Sequence, residues 1–129
     1  MDNGTKNTTV SNQLVRSSSV PWKLLDEPGI QGVHVKSLRF DAEEKRSPTI
    51  LLKFDPGASY PAHAHPAGEE IFVLEGEVRL GAAHLQAGDY LYTAPGNKHA
   101  VFSASGCILL VSVPEEVEIL RERGGNAES

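Results

Sequence analysis

Three side chains that could bind a metal ion stand close together in the stretch GASYPAHAHPAGEEIFVLEG, residues 57–76. His63 and His65 are two positions apart, so their side chains share one face if this segment is an extended strand. The prolines on either side of the pair favour extended backbone at the residues before them. The Pro-Ala-Gly that follows can reverse the chain and bring Glu69 back beside the histidines. Two imidazoles and a carboxylate that converge are ligands for a divalent ion of the Zn, Fe, Mn and Ni class.

A fourth ligand should come from a distant part of the same sheet. His99 is the strongest candidate, because it opens an apolar strand after the turn APGNK. His34 and His84 have no carboxylate or histidine at a useful spacing, so we interpret them as ordinary surface or core residues. Spacing alone leaves two interpretations of the other histidines open: they bind one metal ion together, or each satisfies an unrelated hydrogen bond.

The elements that must position these residues are short strands separated by turns. Residues 32–40, GVHVKSLRF, alternate apolar and polar side chains with a period of two. Residues 47–54 form a predicted strand that Asp55-Pro56-Gly57 ends as a turn. Residues 70–74 and 78–81 form a predicted hairpin around the turn Glu75-Gly76-Glu77.

The rest of the chain continues this pattern of strands and turns. Residues 84–102 contain two more predicted strands, and residues 107–113 a last one that Pro114 ends. Residues 115–123 predict a short helix. Many short strands with turns every eight to twelve residues predict an all-β sandwich or barrel. Small barrels often enclose a ligand cavity lined by inward-facing side chains.

Length and composition limit the classes of function. The chain has 129 residues, of which 40% are hydrophobic and 22% charged, values typical of one soluble globular domain. A formal net charge of −5 without a basic stripe argues against nucleic acid or an anionic membrane as a partner. The lone cysteine, Cys107, lies in an apolar run, so we expect a buried, inert thiol and no disulfide framework.

Both ends of the chain are polar and show no clear periodicity. We therefore expect a flexible leader over residues 1–20, a single domain over residues 21–120 and a loose tail over residues 121–129. The N-terminus lacks an apolar signal core, and no apolar run approaches the roughly 18 residues that cross a bilayer. A cytoplasmic protein is the resulting expectation.

The first polar stretch resembles a sequence motif of the cupin superfamily. That motif is Gly, five residues, His-x-His, three or four residues, Glu, six residues, Gly, and the stretch from Gly57 to Gly76 fits it throughout. The spacing of the motif selects Glu69 rather than Glu70 as the ligand. We expect Glu70 to point to the opposite face, in a salt bridge or in solvent.

A second stretch resembles the second cupin motif. That motif is Gly, five residues, Pro-x-Gly, two residues, His, three residues, Asn, and the stretch that begins at Gly88 fits it up to His99 with two departures. Ala94 stands in place of the proline, with Pro95 one residue later, and Ser103 stands in place of the asparagine. The first change leaves the turn possible, and the second touches no predicted ligand.

The resemblance covers about residues 45–113 and implies a single-domain cupin jelly-roll barrel. It also implies one mononuclear divalent metal, with no catalytic or cofactor-binding residue beyond that centre, held by His63, His65, Glu69 and His99. The amino-acid sequence of the two motifs most resembles one branch of the cupin superfamily. That branch includes the cupin domain of ChrR-type anti-sigma factors and small dioxygenases that cleave carbon–carbon bonds beside carbonyls. This likeness implies a metal-dependent dioxygenase for a small carbonyl- or enol-bearing substrate. Fe(II) is then favoured, although the same ligands accept Zn, Mn or Ni.

Two alternatives to the dioxygenase stay open. The chain could be a non-catalytic metal-binding sensor or ligand-binding module, or, with less support, an isomerase or a storage-type scaffold. In ChrR-type proteins the sigma-binding part is a separate helical, zinc-binding N-terminal domain, and the polar leader of this chain has no cysteine and no helical period. An anti-sigma role is therefore disfavoured, whereas sensing in general is not.

A substrate pocket should be lined by alternate positions on the motif strands. The candidates are Tyr60, Ile71, Val73, Tyr92 and Phe102, although Ile71 and Val73 are explained equally well as core residues. We expect a small-molecule substrate or ligand. We also expect a homodimer, because exposed edge strands favour pairing with a second chain.

Overall fold

The computed structural model describes residues 12–114 and 118–119 of the chain. Within these ranges it contains one short 3-10 helix, Ser17–Ser19, and nine strands. The strands are β1 Lys23–Leu24, β2 Gln31–Asp41, β3 Arg46–Ala64, β4 Glu69–Leu80, β5 Ala83–Gln86, β6 Tyr90–Thr93, β7 Lys98–Ser103, β8 Cys107–Ser112 and β9 Glu118–Ile119. The prediction of an all-β fold is confirmed.

The two long strands, β3 and β4, each take part in both walls of a barrel. The first wall has the order β1-β2-β3-β8-β4-β6 and uses residues 49–54 of β3 and 69–76 of β4. The second wall has the order β9-β3-β7-β4-β5 and uses residues 58–64 of β3 and 77–80 of β4. Every pair is antiparallel. Because both long strands change partners midway, the sheet closes on itself as the cupin jelly roll that the resemblance implied.

β4 passes from one wall to the other at Gly76, where the predicted hairpin turn is wrong. The pairing with β8 shifts register between Val73 and Glu75, where β4 has one extra residue. The inward-facing positions therefore change from odd-numbered residues, such as Val73, to even-numbered residues, such as Val78. Gly76 has φ 79°, and a Cβ at this position would overlap the carbonyl oxygen of Gly106. A glycine here lets the strand bend and continue without reversing.

β3 also continues through a segment that was predicted to be a turn. Between the pairs Gln31–Ser59 and Val33–Phe54, β2 has one residue and β3 has four, including Asp55-Pro56-Gly57. This arrangement is a large bulge, in which a proline needs no ladder hydrogen bond. The bulge bends β3 out of the first wall and into the second, toward the residues that could bind a metal.

The core lies between the two walls and consists mainly of inward-facing aliphatic side chains, together with Phe54 and Cys107. Along β8, Leu109 and Val111 are 1% and 2% exposed and alternate with half-buried residues, the period of two that a strand requires. Each such burial contributes about 1.5–3 kcal/mol to stability. Cys107 is buried as predicted, and burial raises the pKa of its thiol to about 11.

The ends of the chain are only partly described. The leader and tail predictions fall largely on residues 1–11 and 120–129, which lie outside the described residues. Within the predicted helix at 115–123, the described residues Glu118–Ile119 form a strand that pairs with His63 and Ala64, so the helix prediction is wrong there. Near the other end, Lys36 Nζ donates a hydrogen bond to the carbonyl oxygen of Ser17 at 2.6 Å. In the described part of the chain, no helix has the length and apolar character needed to cross a membrane.

Candidate metal centre

Three strands bring the candidate ligands to one end of the barrel. His63 lies in β3 and is the register partner of His99 in β7, while His65 follows the last residue of β3. The chain then reverses, with the amide of Gly68 donating to the carbonyl oxygen of His65 at 3.1 Å, and Glu69 begins β4. Alternation along β3 and the tight turn after it therefore place these side chains together, as the spacing predicted.

Gly68 makes this turn possible. Its φ is +89°, and a Cβ would stand 3.0 Å from the hydroxyl oxygen of Tyr92 and 3.1 Å from the carbonyl oxygen of Thr93. Both values are closer than side chains normally tolerate. The residue before Glu69 must consequently be small and left-handed, so that the carboxylate enters the barrel rather than the solvent.

The four side chains offer their ligand atoms within 4.8 Å of one another. Glu69 Oε1 lies 2.9 Å from Nε2 of His65 and 3.6 Å from Nε2 of His99, and Glu69 Oε2 lies 3.9 Å from Nε2 of His63. Two ligands of one ion with bonds of about 2.1 Å are roughly 3–4 Å apart. These four residues could therefore hold one metal ion.

Backbone carbonyls orient two of the imidazole rings. Nδ1 of His63 lies 3.0 Å from the carbonyl oxygen of Pro61, and Nδ1 of His65 lies 3.4 Å from that of Asn97. A proton on each Nδ1 leaves the lone pair on Nε2, which faces the shared point. Such outer hydrogen bonds fix the tautomer and direction of metal-binding histidines.

Three of the converging atoms have no hydrogen-bond partner among the described residues. They are Nε2 of His65, Nε2 of His99 and Oε1 of Glu69, all of them buried. Although Nε2 of His65 is 2.9 Å from Glu69 Oε1, the orientation of the two groups does not make a hydrogen bond between them. Buried polar atoms without partners are costly and rare. A bound cation would satisfy all three, so the donor set fits a divalent metal.

The ionisation of the site also suits a cation. Burial lowers the pKa of His65 below its usual value, which keeps this imidazole neutral and able to donate a lone pair. Burial would raise the pKa of Glu69, but the imidazoles of His63, His99 and His65 beside the carboxylate outweigh burial and lower the pKa to about 2. A carboxylate with three neutral imidazoles leaves a divalent ion with a net charge near +1.

The candidate centre opens into a cavity of about 210 Å³ inside the barrel. His63 and Glu69 line this cavity, together with Tyr60 and Ile71, which were two of the predicted pocket residues. Further lining residues, which the sequence interpretation did not name, include Val35, Ile50, Leu52, Val111 and Val113. Ile50, Leu51 and Leu52 are three consecutive apolar residues, so the sequence pattern does not indicate which of them face the cavity.

The other three pocket candidates do not line this cavity. Val73 is fully buried in the core, while Tyr92 and Phe102 are 53% and 41% exposed on the outer surface. Tyr92 is the register partner of Glu70, and Glu70 points away from the barrel interior that Glu69 faces. The pocket prediction for Tyr92 and Phe102 is corrected accordingly, because it started from the wrong face of the strand.

Structural contacts account for three further residues that are not candidate ligands, namely Glu70, His84 and Ser103. Glu70 accepts a hydrogen bond from the hydroxyl of Tyr90 at 2.8 Å, and His84 Nε2 lies 2.9 Å from Glu77 Oε1. Ser103 stands where the second cupin motif has asparagine, and it is fully buried. Its hydroxyl donates to the carbonyl oxygen of Glu77 at 2.6 Å, so it supports the loop rather than the candidate centre.

Comparison with known proteins agrees with this architecture. The family model for the ChrR cupin-like domain matches residues 10–115. An acetylacetone dioxygenase from Acinetobacter johnsonii is similar over 97% of this chain and 88% of its own, with a TM-score of 0.79 and 17% identity. The polyketide cyclase RemF from Streptomyces resistomycificus is similar over 87% of both chains, with a TM-score of 0.70 and 22% identity. These two likenesses show a shared fold.

A third similar structure comes from a regulatory complex. A chain of the Rhodobacter sphaeroides complex of SigE with the anti-sigma ChrR is similar over 76% of this chain, with a TM-score of 0.60 and 27% identity. The match covers 50% of that chain. No protein with a curated function matches the sequence.

Proposed function

The chain belongs to the family of ChrR cupin-like domains, and from this premise we propose that it is a metal-dependent dioxygenase. Its substrate is a small molecule with a carbonyl or enol group that can chelate a metal. The ligands would be the four converging side chains, His63, His65, Glu69 and His99. Fe(II) is the ion that best suits this oxygen chemistry, although the donor set also accepts Zn, Mn or Ni.

The observation that carries the proposal is that the candidate metal centre borders an internal cavity. Structural metal sites are closed by protein ligands, whereas catalytic sites keep a position for substrate. Here His63 and Glu69 line an internal cavity as well as the metal position. A small molecule in this cavity would reach the ion directly, which favours chemistry over a purely structural role.

The protein residues bind and orient the reactants in this proposal. A divalent ion bound there would supply Lewis acidity and, when redox-active, access to dioxygen chemistry. Glu69 and the three imidazoles hold that charge in place, and the aliphatic walls exclude water from the chelated end of the substrate. Fixed orientation and a dry, preorganised site are the two main contributions that such a pocket makes to rate.

Oxygen uptake by the iron-loaded protein tests the proposal. The protein is loaded with Fe(II) without oxygen and then given oxygen with a panel of 1,3-diketones, hydroxyaryl ketones and thiols. Cleavage of a carbon–carbon bond by a dioxygenase places both oxygen atoms in the two products. We therefore expect one O₂ consumed per molecule of a reacting diketone or hydroxyaryl ketone.

Two adjacent carboxylates supply a matched control. Glu69→Gln removes the proposed ligand with almost no change in shape, whereas Glu70→Gln makes the same change on the outer face. We expect Glu69→Gln to lower uptake by at least about tenfold, because even the loss of an outer partner of a metal ligand costs that much. Glu70→Gln should act as wild type. Equal activity of both variants, or no uptake at full iron occupancy, would contradict the dioxygenase.

A second candidate is a metal-binding sensor or ligand-binding module without catalysis. It is supported by the family match and by the likeness to a chain from the complex of SigE with ChrR. Stoichiometric zinc binding, together with no oxygen uptake for any compound of the substrate panel, would favour this candidate over the dioxygenase.

We also propose that the chain forms a homodimer through the outer face of the first wall. Four large apolar side chains on β4 and β6 are 39–55% exposed there, namely Phe72, Leu74, Tyr90 and Tyr92. Phe72 and Tyr90 are register partners, so the patch is continuous across the two strands. Contiguous apolar patches commonly mark interaction surfaces, and a two-fold axis would set this patch against its own copy.

A further inference from the structure

The cavity beside the candidate metal centre has two chemically different ends. His63 and Glu69 lie at one end, and the ring of Tyr60 is there as well, with its centroid 5.0 Å from that of His63. Every other side chain among the described residues that line the cavity is a hydrocarbon. Within the described lining, the polar groups are thus confined to the end that could hold a metal.

The hydrocarbon lining extends away from that end across three strands of the first wall. Ile71 follows Glu69 on the same face of β4 and is the register partner of Val111 in β8, which in turn pairs with Ile50 in β3. Neighbouring strands are about 4.8 Å apart, so Ile50 lies about 10 Å across the sheet from Ile71. Leu52, two residues after Ile50, continues this lining along β3.

We infer that this lining is a tail-binding pocket, and that the substrate or ligand has an uncharged aliphatic tail behind its chelating group. The inference rests on the proposed function for the chelating end. A cavity of about 150 Å³ in a protein core holds benzene, so on the same scale one of about 210 Å³ holds about eight non-hydrogen atoms. Ile50, at the far side, then limits the length of the tail.

Desolvation makes this pocket selective. A carboxylate, ammonium or hydroxyl on the tail would lose its water and meet hydrocarbon side chains that cannot replace it. Each added methylene, in contrast, moves apolar surface out of water and should tighten binding by about fourfold while room remains. The pocket therefore selects by polarity first and by length second.

Alkyl hydroxamic acids test the inference, because they chelate metal ions through one end and differ only in their tails. Their binding to the full chain loaded with Co(II) is followed by the visible spectrum of the ion. From acetohydroxamate to hexanohydroxamate we expect affinity to rise by about fourfold per methylene, and then to level off near six to eight carbons. Succinic acid monohydroxamate, which has a charged tail, should bind at least tenfold more weakly than butanohydroxamate.

Two substitutions at one position separate the pocket from a general loss of stability. Ile50→Ala should move the plateau to longer tails, and Ile50→Phe should move it to shorter ones. Ile108→Ala, which removes the same atoms from an outward-facing position of β8, should leave the plateau where it is. Opposite shifts from one residue cannot arise from unfolding, and acetohydroxamate should bind all four proteins alike.

The outcomes distinguish the pocket from the metal centre. Tight binding of acetohydroxamate with no effect of tail length, or with no effect of the Ile50 substitutions, would overturn the tail pocket and leave the metal centre intact. If no hydroxamate alters the spectrum, the metal centre itself is contradicted, and binding of benzene to the metal-free protein then tests the tail-binding pocket separately. Saturable benzene binding that Ile50→Phe abolishes would support the tail-binding pocket, and absence of benzene binding would overturn it.

Discussion

Glu77 connects strand β5 with the loop between β7 and β8 through its carboxylate. One oxygen accepts hydrogen bonds from the amide and hydroxyl of Ser105 at 2.8 and 2.9 Å, and the other lies 2.9 Å from His84 Nε2. The amide of Ser105 and the contact with His84 lower the pKa of Glu77 to about 2. This depressed pKa implies that the ionised form of Glu77 stabilises the folded state.

The pH dependence of stability should report this contribution. The pKa of Glu77 falls from 4.5 to about 2 on folding, so its contribution is complete above pH 4.5 and is lost as the pH falls toward 2. We expect Glu77→Gln to be about 1 kcal/mol less stable than wild type near pH 6, the value of a solvent-screened charge contact. The difference should shrink as the pH falls below 4.

Urea unfolding of the metal-free proteins between pH 2.5 and 6 measures this difference. Glu69, which has a similarly low pKa, is present in both proteins and cancels. Glu43→Gln, in the exposed loop between β2 and β3, controls for the loss of one negative charge. A difference that stays constant over the whole pH range would show that the contacts of Glu77, and not its ionisation, are responsible.

The candidate ligands were predictable because their direction depends on strand alternation and one turn. His63 and His65 had to share a face, and a single reversal brought Glu69 beside them. The direction of Tyr92 was not predictable in the same way, because apolar or aromatic residues occupy both faces of β6. Only its pairing with Glu70 reveals that Leu91 and Thr93, rather than Tyr92, face inward.

The long strands β3 and β4 show where sequence patterns fail at the scale of elements. Asp55-Pro56-Gly57 and Glu75-Gly76-Glu77 have the residue types of chain-reversing turns, yet both bend a strand that continues. What decides between a turn and a bulge is the partner on each side, here β8 in one wall and β7 in the other. Such non-local pairing is not visible in a short segment of sequence.

Gly76 is the residue at which a substitution should reveal this bend. Ala at a left-handed position costs about 1–2 kcal/mol, and at Gly76 its Cβ would also overlap the backbone of Gly106. Gly57 has a similar φ of +83°, but no atom of the described part of the chain lies within 4 Å of the added Cβ. We expect Gly76→Ala to lower the free energy of unfolding by at least twice as much as Gly57→Ala.

Denaturant unfolding of the two variants side by side measures both costs. The pair shares the conformational penalty, so the difference between them isolates the contact of β4 with the loop before β8. Equal losses would show that the backbone can open around Gly76 and that the two walls are not tightly joined at this point.

At the scale of the whole molecule, the barrel separates two kinds of apolar surface. The interior surface lies behind the candidate ligands, and the exterior surface lies on the outer face of the first wall. Both come from the same strands, since Ile71 faces inward and Phe72 outward on β4. A strand with apolar residues on both faces is typical of a sheet that is covered on both sides, which is why we propose a second chain against the outer face.

Substitution of one outward-facing aromatic residue tests this arrangement. Phe72→Asp places a charge at the centre of the patch, opposite Tyr90, where a dimer would have to bury it without a partner. We expect wild type to sediment as a dimer at micromolar concentration and Phe72→Asp as a monomer. Phe102→Asp, at an equally exposed site on β7 of the second wall, should remain dimeric.

Sedimentation velocity over a range of concentrations distinguishes the surfaces. A monomeric wild type would contradict the proposed dimer. If only Phe102→Asp disrupts the dimer, the contact lies on the second wall instead of the first. Because Phe72 points away from the candidate metal centre, its substitution should leave hydroxamate binding to the Co(II)-loaded protein unchanged. Loss of both properties together would mean that the interior pocket depends on the second chain, and that dimer and site form one functional unit.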